Sequence, residues 1–334
     1  MAADQSFKNT KFTRRRILAG AATLPLVAIA GGARAQSFPT GLVKIVVATG
    51  PGASPDIISR LVADHLSRLW GQQVVVINQP GGAGAIAIKA VSTAVPDGGT
   101  LYMALATNFV ALQELQQNFP VDVLRDFKPI GFIGEQPLMI GVPPTLGVNT
   151  LAELIALFKQ KPGELNVGAG NRGSMLHLTG ERLRSATRTQ FALLHYAGGA
   201  RALPDLMGGR LQAMIDAIAS MRGAVDGGNV KPLAVTSMQR LANFPNVPAA
   251  SEMLPGFEAL GWMALMGTPG TPEPLARKIS DDLRHVLTQP ELKKRLEDLG
   301  TYVRPTPPPG LTAYIREQQR VWGPILAEVA KTIR

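Results

Sequence analysis

The 334-residue sequence contains no cysteine, and this absence removes several kinds of chemistry. Without a thiol there is no cysteine nucleophile, no disulfide and no cysteine-based metal site, so the core alone has to stabilise the fold. Histidines are also few, and no two of them have a metal-ligand spacing such as H-E-x-x-H. We therefore expect no bound metal. The four histidines are His65, His177, His195 and His285.

A dense basic stripe with interleaved aromatic residues is also missing, and aromatic residues make up only 5% of the chain. The formal net charge is +10, of which residues 1–35 carry +5 and the rest of the chain carries +5. We therefore expect no nucleic-acid partner. The positive charge that remains beyond residue 35 mildly favours anionic ligands.

The N-terminus has the order of a bacterial export signal. Residues 13–18 read T-R-R-R-I-L, which is a twin-arginine pattern. Residues 17–30 are uncharged and mostly apolar, and residues 33–35 read A-R-A, as at a cleavage site. This apolar run is shorter than the roughly 20 residues that a membrane span needs. We expect export to the periplasm by the twin-arginine route, with cleavage near Ala35 and removal of residues 1–35.

Beyond the signal, short apolar runs alternate with helical periodicity, which predicts an α/β fold with mostly parallel sheets flanked by helices. Asp56 is predicted to cap the first of the helices, and Thr150 with Glu153 forms a capping box at another. Strands are predicted at 42–47, 74–77, 101–105, 130–133, 138–142, 165–167, 190–196, 211–218 and 231–237. Helices are predicted at 57–69, 151–160, 199–209, 274–288, 290–299 and 310–331.

The length of the chain suits two domains. The capping box near residue 150 and the apolar strands near 138 and 233 indicate two crossings between them. We predict that residues 138–236 form an inserted domain 2, and that residues 36–137 with 237–334 form domain 1, with a ligand cleft between them. Ligands of such sheets bind at the carboxyl ends of strands, where glycine-rich loops and helix N-termini can hold an anion.

One glycine motif suggests a different function. The stretch NVGAGNRGSMLHL, residues 166–178, contains G-x-G-x-x-G at Gly168, Gly170 and Gly173. This is the dinucleotide-binding fingerprint, so an exported NAD(P)-dependent oxidoreductase is an alternative. A Rossmann site also needs an acidic residue at the end of the next strand. No Asp or Glu lies between residues 181 and 205, and we expect no cofactor.

Ser174 and His177 lie three residues apart on one predicted helix, where a nucleophile and a base could face together. A catalytic triad also needs a third group and an oxyanion hole, and the sequence singles out neither. We expect Ser174 to be a helix cap or a ligand hydroxyl, and His177 to support it by hydrogen bonding. No catalytic residue is predicted.

Several stretches occur together in the order found in one family: KIVVATGPGASPDIISRLVADHL, VINQPGGAGAIAIKAV, PDGGTL, RDFKPIGFIGE, GAGNRGSMLHLTGE, LHYAGGARALPDLMGGRL, LAVTS and GTPGTP. With the export signal, they resemble the periplasmic solute-binding proteins of the tripartite tricarboxylate transporter family, often called Bug proteins. The resemblance runs from about residue 38 to the C-terminus. It implies an α/β, two-lobed type II periplasmic binding fold, each lobe a mostly parallel sheet flanked by helices.

The resemblance also implies a function. A monomer that is not an enzyme would close on a small carboxylate, an organic acid or amino acid, and deliver it to the membrane subunits of a tripartite tricarboxylate-type transporter or to a sensor. The ligand-binding residues that it implies in domain 1 are Thr49, Gly52, Ala53, Ser54, Asp56, Ala106, Thr107 and Asn108. Those in domain 2 are Gly170, Asn171, Ser174, His177, Tyr196, Ala197, Gly198 and Asp216.

The chain departs from the family pattern at three of these residues. The first loop of the family reads roughly P-F-x-P-G-G-x-x-D, whereas here Thr49 replaces the aromatic residue and Ala53 replaces the second glycine. An alanine restricts positive φ, so we expect the loop to be set differently. Ala197 stands where the family has a lysine between Tyr and Gly. An orphan binder with altered ligand chemistry is therefore a further alternative.

Overall fold

The structure is a computed structural model that describes residues 38–112, 116, 118–304 and 306–333, with side chains described as far as residue 327. The predicted export signal lies outside these residues. The described strands are β1 (Val43–Val47), β2 (Val74–Asn78), β3 (Thr100–Leu105), β4 (Lys128–Val142), β5 (Asn166–Gly170), β6 (Ala192–Tyr196), β7 (Ala213–Ala217), β8 (Lys231–Val235), β9 (Leu260–Gly267) and β10 (Tyr302–Val303).

The described helices alternate with these strands, as the sequence predicts. They are α1 (Ser54–Trp70), α2 (Ala85–Ser92), α3 (Ala106–Val110), α4 (Val123–Asp126), α5 (Leu151–Gln160), α6 (Met175–Thr187), α7 (Gly199–Met207), α8 (Ile218–Asp226), α9 (Glu273–Leu287), α10 (Pro290–Asp298) and α11 (Pro308–Ile333). Within the described part of the chain, no helix combines the length and the apolar character that crossing a membrane requires.

The strands form one mixed sheet with two parts that share β4. In the first part the order is β2-β1-β3-β9-β4, with β10 also paired to β4, and in the second part it is β8-β4-β7-β5-β6. Pairing is parallel within β2-β1-β3 and within β6-β5-β7. It is antiparallel wherever β4 or β9 takes part, which makes the α/β sheet mixed.

The central strand β4 corrects one prediction. The sequence predicts separate strands at 130–133 and 138–142, but the structure has a single strand of 15 residues. Its pairing with β9 shifts register between Pro129 and Gly131 and again between Phe132 and Gly134. Such bulges let a strand continue through glycine and proline, which read as a break in the sequence. Residues up to 137 pair with β9, and residues from 138 pair with β7 and β8.

The two predicted helix caps have different outcomes. The Thr150 hydroxyl accepts the backbone N–H of Glu153 at 3.1 Å, and the Glu153 carboxylate accepts the N–H of Asn149 at 2.7 Å, so the capping box is confirmed. Asp56 does not cap α1. Its carboxylate accepts the N–H of Gly52, which precedes the helix, at 3.0 Å. The carboxylate therefore holds the loop between β1 and α1.

Apolar side chains cover both faces of each part of the sheet. Two buried clusters flank the first part, around Ile45 with Ile58 and around Trp262 with Phe109, whose rings stack at 5.2 Å. Two more flank the second part. Strand β9, which the sequence analysis missed, is buried along almost its whole length. A fully buried strand has no polar alternation, so its sequence LGWMALMG does not show the period of a strand.

Candidate functional site

A cavity of about 110 Å³ lies at the carboxyl ends of strands from both parts of the sheet. Residues at or just after the ends of β1, β3, β5, β6 and β7 line it, and β4 and β9 close it from behind. Twelve of the sixteen residues predicted to bind ligand line this cavity. They are Thr49, Ala53, Ser54, Ala106, Thr107, Gly170, Asn171, Ser174, Tyr196, Ala197, Gly198 and Asp216.

Five helices begin at the wall of the cavity. The residues at the N-caps of α1, α3, α6, α7 and α8 all line it, and they come from both parts of the sheet. A helix N-terminus leaves backbone N–H groups without intrahelical acceptors and carries partial positive charge. The five N-cap residues are Ala53, Leu105, Ser174, Gly198 and Ala217. By this principle their convergence favours an anion in the cavity, although no described lining side chain is cationic.

The side chains that line the cavity add almost no charge. None of them is Lys, Arg or His, and Asp216 and Tyr196 are the two titratable groups among them. The Tyr196 hydroxyl donates to the Asp205 carboxylate at 2.6 Å, and burial together with this carboxylate raises the pKa of Tyr196 to about 12. Burial raises the pKa of Asp216 to about 7, although the hydrogen bond from the N–H of Ala217 opposes the shift.

The loop from residue 49 to residue 56 is held by a small polar network. Asp56 accepts the Gly52 N–H, and the Asn78 side-chain amide donates both to Asp56 at 2.9 Å and to the Thr49 carbonyl at 3.0 Å. Gly52 has φ of 76°, whereas Ala53 has φ of −73°. The glycine that is kept therefore occupies the left-handed position. The alanine lies where any residue is allowed, so its substitution does not strain the loop.

Two histidines hold the loop from residue 170 to residue 174. His177 Nδ1 accepts the backbone N–H of Gly173 at 3.1 Å, and His195 Nδ1 lies 2.9 Å from the Gly170 carbonyl. Because a carbonyl only accepts, His195 must carry its proton on Nδ1. Ser174 caps α6 by accepting the N–H of His177 at 3.3 Å. The chain thus turns from β5 into α6 with the loop backbone fixed against the cavity.

Four of the predicted ligand residues lie behind the cavity wall. Gly52 and Asp56 bond to each other in the first loop, and His177 supports the second. Asn108 is buried and accepts from the Tyr102 hydroxyl and the Leu105 N–H, both at 2.8 Å. None of the four lines the cavity, and each bonds to a segment that lies at the wall or next to it.

Nine further residues line the cavity that the sequence analysis did not select. Gln136 donates to the Ser54 hydroxyl at 2.7 Å and to the Thr301 hydroxyl at 2.9 Å, which ties the middle of β4 to α1. No local motif marks Gln136, since it was predicted to lie between two strands. The nine residues are Pro55, Leu105, Gln136, Leu138, Met175, Leu176, Ala217, Gly261 and Trp262.

Two buried polar atoms of the lining residues have no hydrogen-bond partner among the described residues. They are the hydroxyl of Thr49 and the indole nitrogen Nε1 of Trp262. An indole N–H can only donate, and a buried donor without an acceptor costs about 1–3 kcal/mol. An acceptor oxygen on a ligand would remove this cost.

A second, larger cleft of about 490 Å³ adjoins the cavity and shares Asn171 and Ala197 with it. It is lined by the loop around Gly81 and Gly82 and by Arg172, whose side chain is exposed. The guanidinium of Arg172 therefore belongs to this outer cleft and not to the cavity.

The glycine motif at residues 168–173 does not form a dinucleotide loop. Gly168 lies inside β5, where its neighbours in the sheet are Leu194 of β6 and Met214 of β7. Only Gly170 ends the strand and lines the cavity. The first glycine is therefore not available for the turn that a pyrophosphate needs. The cavity is also far smaller than the roughly 300–1,000 Å³ typical of sites for larger ligands.

Comparison with known proteins agrees with this geometry. The family model described as the tripartite tricarboxylate transporter family receptor matches residues 58–330. The chain therefore belongs to this family of periplasmic solute-binding proteins. A curated relative, protein BugT of Bordetella pertussis, is 28% identical over 308 residues, which cover 92% of this chain and 94% of BugT.

Two solved structures of similar proteins contain a carboxylate ligand. Rpa4515 of R. palustris, solved with adipate, is 27% identical and superposes with a TM-score of 0.84 over 88% of this chain and 98% of its own. MatC of Rhodopseudomonas palustris, solved with bound malate, is 28% identical and superposes with a TM-score of 0.80 over 86% of this chain and 100% of its own. The periplasmic binding fold of this chain is thereby confirmed.

Proposed function

We propose that this protein is a periplasmic receptor that binds a small carboxylate in the cavity, without catalysis. The observation that carries the proposal is the convergence of five helix N-termini on a cavity whose lining has no cationic side chain. Such a field favours an anion, and neutral donors avoid the cost of burying a cation. The adipate and malate in the two similar structures are anions of this class.

The number of available contacts is sufficient for useful affinity. A hydrogen bond to a charged group contributes about 1.5–3 kcal/mol, and a Kd of about 1 μM requires about 8.2 kcal/mol. At the middle of this range, four or five such bonds supply about 9–11 kcal/mol, which exceeds the requirement and leaves a margin for the cost of ordering the ligand. Backbone N–H groups of the helix N-termini, the Thr49 hydroxyl and the Trp262 indole N–H are the donors that we assign.

We further propose that the two parts of the sheet belong to two lobes that close on the ligand. Domain 1 would comprise residues 36–137 and 237–334, and domain 2 residues 138–236. The change of partners along β4 at residues 137–138 supports the first boundary. The Thr236 N–H donates to the Leu138 carbonyl at 2.9 Å, so the return of the chain lies beside the first crossing.

Export and delivery complete the proposal. We assign residues 1–35 to a twin-arginine signal that is cleaved near Ala35. The mature monomer would then deliver its ligand to the membrane subunits of a tripartite tricarboxylate-type transporter or to a sensor. Replacing Arg14, Arg15 and Arg16 by lysine should leave the uncleaved protein in the cytoplasm. Mass spectrometry of the N-terminus in each cell fraction measures this outcome.

A thermal-shift screen of residues 36–334 tests the binding function. The panel contains mono-, di- and tricarboxylates, aromatic acids and amino acids, with NAD and NADP as the competing class. We expect at least one carboxylate to raise the Tm and the nicotinamide cofactors to leave it unchanged. Stabilisation by NAD without stabilisation by any carboxylate would favour an oxidoreductase. A well-folded sample that responds to no acid would favour an altered ligand chemistry and contradict the proposal.

A further inference from the structure

The carboxyl group of Asp216 is the one acidic group in the lining of a cavity that is otherwise suited to an anion. Asp216 is the fourth residue of β7 and only 5% of its surface is exposed. Oδ1 accepts the backbone N–H of Ala217, the N-cap of α8, at 2.7 Å. The group therefore lies in the same positive field that we assign to the ligand.

The second carboxyl oxygen of Asp216, Oδ2, lies so close to residue 199 that only a glycine fits there. A Cβ on Gly199, at the start of α7, would lie 2.9 Å from Asp216 Oδ2 and 2.6 Å from the Cβ of Ser220. The packing around Oδ2 is therefore close, and the positions of the neighbouring backbones restrict where this oxygen can point. The position of Oδ2 is therefore set by the fold, and Asp216 is not a flexible surface side chain.

Among the described residues, no charged side chain compensates the carboxyl group of Asp216. The groups that act on it are the Ala217 N–H and the nearby Ser220 hydroxyl. Titratable side chains on the elements packed against β7 are exposed or have partners elsewhere. On β4, Lys128 pairs with Glu273, and Glu135 pairs with Arg304. On α6, His177 and Arg184 lie against Glu181, and Arg182 lies against the ring of Phe257. On α7, Arg201 is exposed and Asp205 accepts from Tyr196, and on α8, Arg222 pairs with Asp226. Strand β5 has no titratable residue.

An ionised Asp216 would oppose a carboxylate ligand in two ways. It would repel the ligand directly across the cavity, and it would neutralise part of the field from the helix N-termini. A neutral Asp216 has the opposite effect, because its O–H becomes a donor to a charged acceptor. Among the charge states of this residue, only the neutral acid supports the anion.

We propose, on the basis of the proposed function, that Asp216 binds the ligand as a neutral acid that donates a hydrogen bond from Oδ2 to an oxygen at the distal end of the carboxylate. Binding then takes up one proton from the buffer whenever free Asp216 is ionised. Asp216 thus couples ligand affinity to pH and selects ligands that present an acceptor oxygen at this position.

The pKa of Asp216 in the free protein determines the pH range over which the affinity changes, and this range lies near pH 7. Burial raises its pKa to about 7, so roughly half of the free molecules carry an ionised carboxylate at that pH. If only the neutral form binds, the Kd rises about 25-fold between pH 6.5 and pH 8.5. At pH 7.5 each bound ligand takes up about three quarters of a proton.

Isothermal titration calorimetry of residues 36–334 with malate and adipate tests the expected change in Kd and the expected proton uptake. Titrations at pH 6.5, 7.5 and 8.5 give the change in Kd, and titrations at pH 7.5 in phosphate and in Tris give the proton uptake. Both acids remain largely dianionic over this range, so their own titration contributes little. We expect weaker binding at higher pH together with net proton uptake.

Two variants test whether Asp216 is the group that takes up the proton when the ligand binds. Asp216→Asn keeps a donor without a titratable group and should lose the dependence on pH. Asp226→Asn removes an exposed carboxylate of α8 and should keep it. If Asp216→Asn does not fold, the pair of buffers still measures proton uptake by the native protein.

The outcomes separate this proposal from the proposed function. Binding of either acid with a Kd independent of pH, or with release of a proton, would overturn the neutral-acid role alone. Proton release would instead indicate an ionised Asp216 paired with a donor or cation on the ligand. Failure of both acids to bind at any of the three pH values would count against carboxylate binding itself and would remove both proposals.

Discussion

Gly198 and Ala53 meet across the cavity at the N-caps of α7 and α1. A Cβ placed on Gly198 would lie 3.0 Å from the Cβ of Ala53, which is closer than ordinary van der Waals contact. Gly50 and Gly52 lie in the same loop as Ala53 and also approach the segment around Gly198. A Cβ on Gly50 would lie 3.4 Å from the Ala197 carbonyl oxygen, and a Cβ on Gly52 would lie 3.2 Å from the Cβ of Ala200. At these positions the two loops meet through backbone and methyl groups.

A larger side chain at residue 198 should hold these loops apart. We expect Gly198→Val to weaken carboxylate binding by tenfold or more, because the contact with Ala53 cannot form without a shift of both loops. Calorimetry measures the affinity. Gly223→Ala is the matched control, since a Cβ there meets nothing within 4 Å on α8. Equal affinities of Gly198→Val and the native protein would show that this contact is not part of the bound state.

The hydroxyl of Thr49 is expected to bind the ligand, because it is buried at the cavity and has no partner among the described residues. Thr49→Val removes the hydroxyl at nearly constant volume. We expect the affinity for the carboxylate to fall by about tenfold to a hundredfold, since a hydrogen bond to a charged group contributes about 1.5–3 kcal/mol. Thermal unfolding of the ligand-free variant should show no loss of stability.

Ser59→Ala provides the control for Thr49→Val. The Ser59 hydroxyl is also buried and without a partner in the described part of the chain, but Ser59 does not line the cavity. Its removal should leave the affinity unchanged. An equal loss of affinity in both variants would attribute the effect of Thr49→Val to packing rather than to ligand contact.

Asp56 should stabilise the protein through the loop that it holds. Burial opposes ionisation, but the bonds from Arg60, Gly52 and Asn78 prevail and lower the pKa of Asp56 below 3.8. Stability from a lowered pKa is present above the unfolded value and is lost as the pH falls through the folded value. We expect Asp56→Ala to reduce the free energy of unfolding by about 2–3 kcal/mol at pH 7.

Urea unfolding of Asp56→Ala and of the native protein at pH 7 and at pH 3 checks this expectation. The difference between the two proteins should shrink at pH 3, because this pH lies below the ordinary aspartate pKa of 3.8, so the unfolded native chain takes up a proton at Asp56 and the advantage of the ionised folded state decreases. A difference that stays constant with pH would mean that the substitution acts through packing, not through the charge of Asp56.

Asp216 should have the opposite effect on stability. Its pKa in the folded protein is raised from 3.8 to about 7, so the folded state holds a proton that the unfolded state releases. Stability is therefore full below the unfolded pKa and is lost as the pH rises towards 7. We expect Asp216→Asn to gain stability relative to the native protein between pH 4 and pH 8, by at most about 4 kcal/mol. Urea unfolding without ligand measures the gain, and parallel pH profiles of the two proteins would contradict it.

Local signals account for much of what could be predicted. Thr150 and Glu153 mark a helix start by their own side chains, and the prediction is confirmed by their hydrogen bonds. The motif around Gly170 lies between a strand and a helix in both the prediction and the structure. Such features depend on residues within a few positions of each other, so a single sequence contains the information.

Other features depend on residues far apart in the chain. Gln136 looks like part of a turn in the sequence. It lies within the long bulged strand β4, because β9 pairs with the first part of β4, from Lys128 to Pro137. Trp262 lines the cavity only because β9 enters the sheet between β3 and β4. The partnership of Asp56 with Gly52 instead of the helix also depends on how the loop folds back.

The sequence by itself determined the α/β alternation, the family and the loops that would form a site, because periodicity and ordered motifs are properties of neighbouring residues. The tertiary structure decided which of those loops share a cavity. It brought five helix N-termini together and placed Asp216 among them, with no compensating cation in the part of the chain that the structure describes. Fields and pKa values depend on distances in space and on burial, and a linear sequence does not contain either until the chain folds.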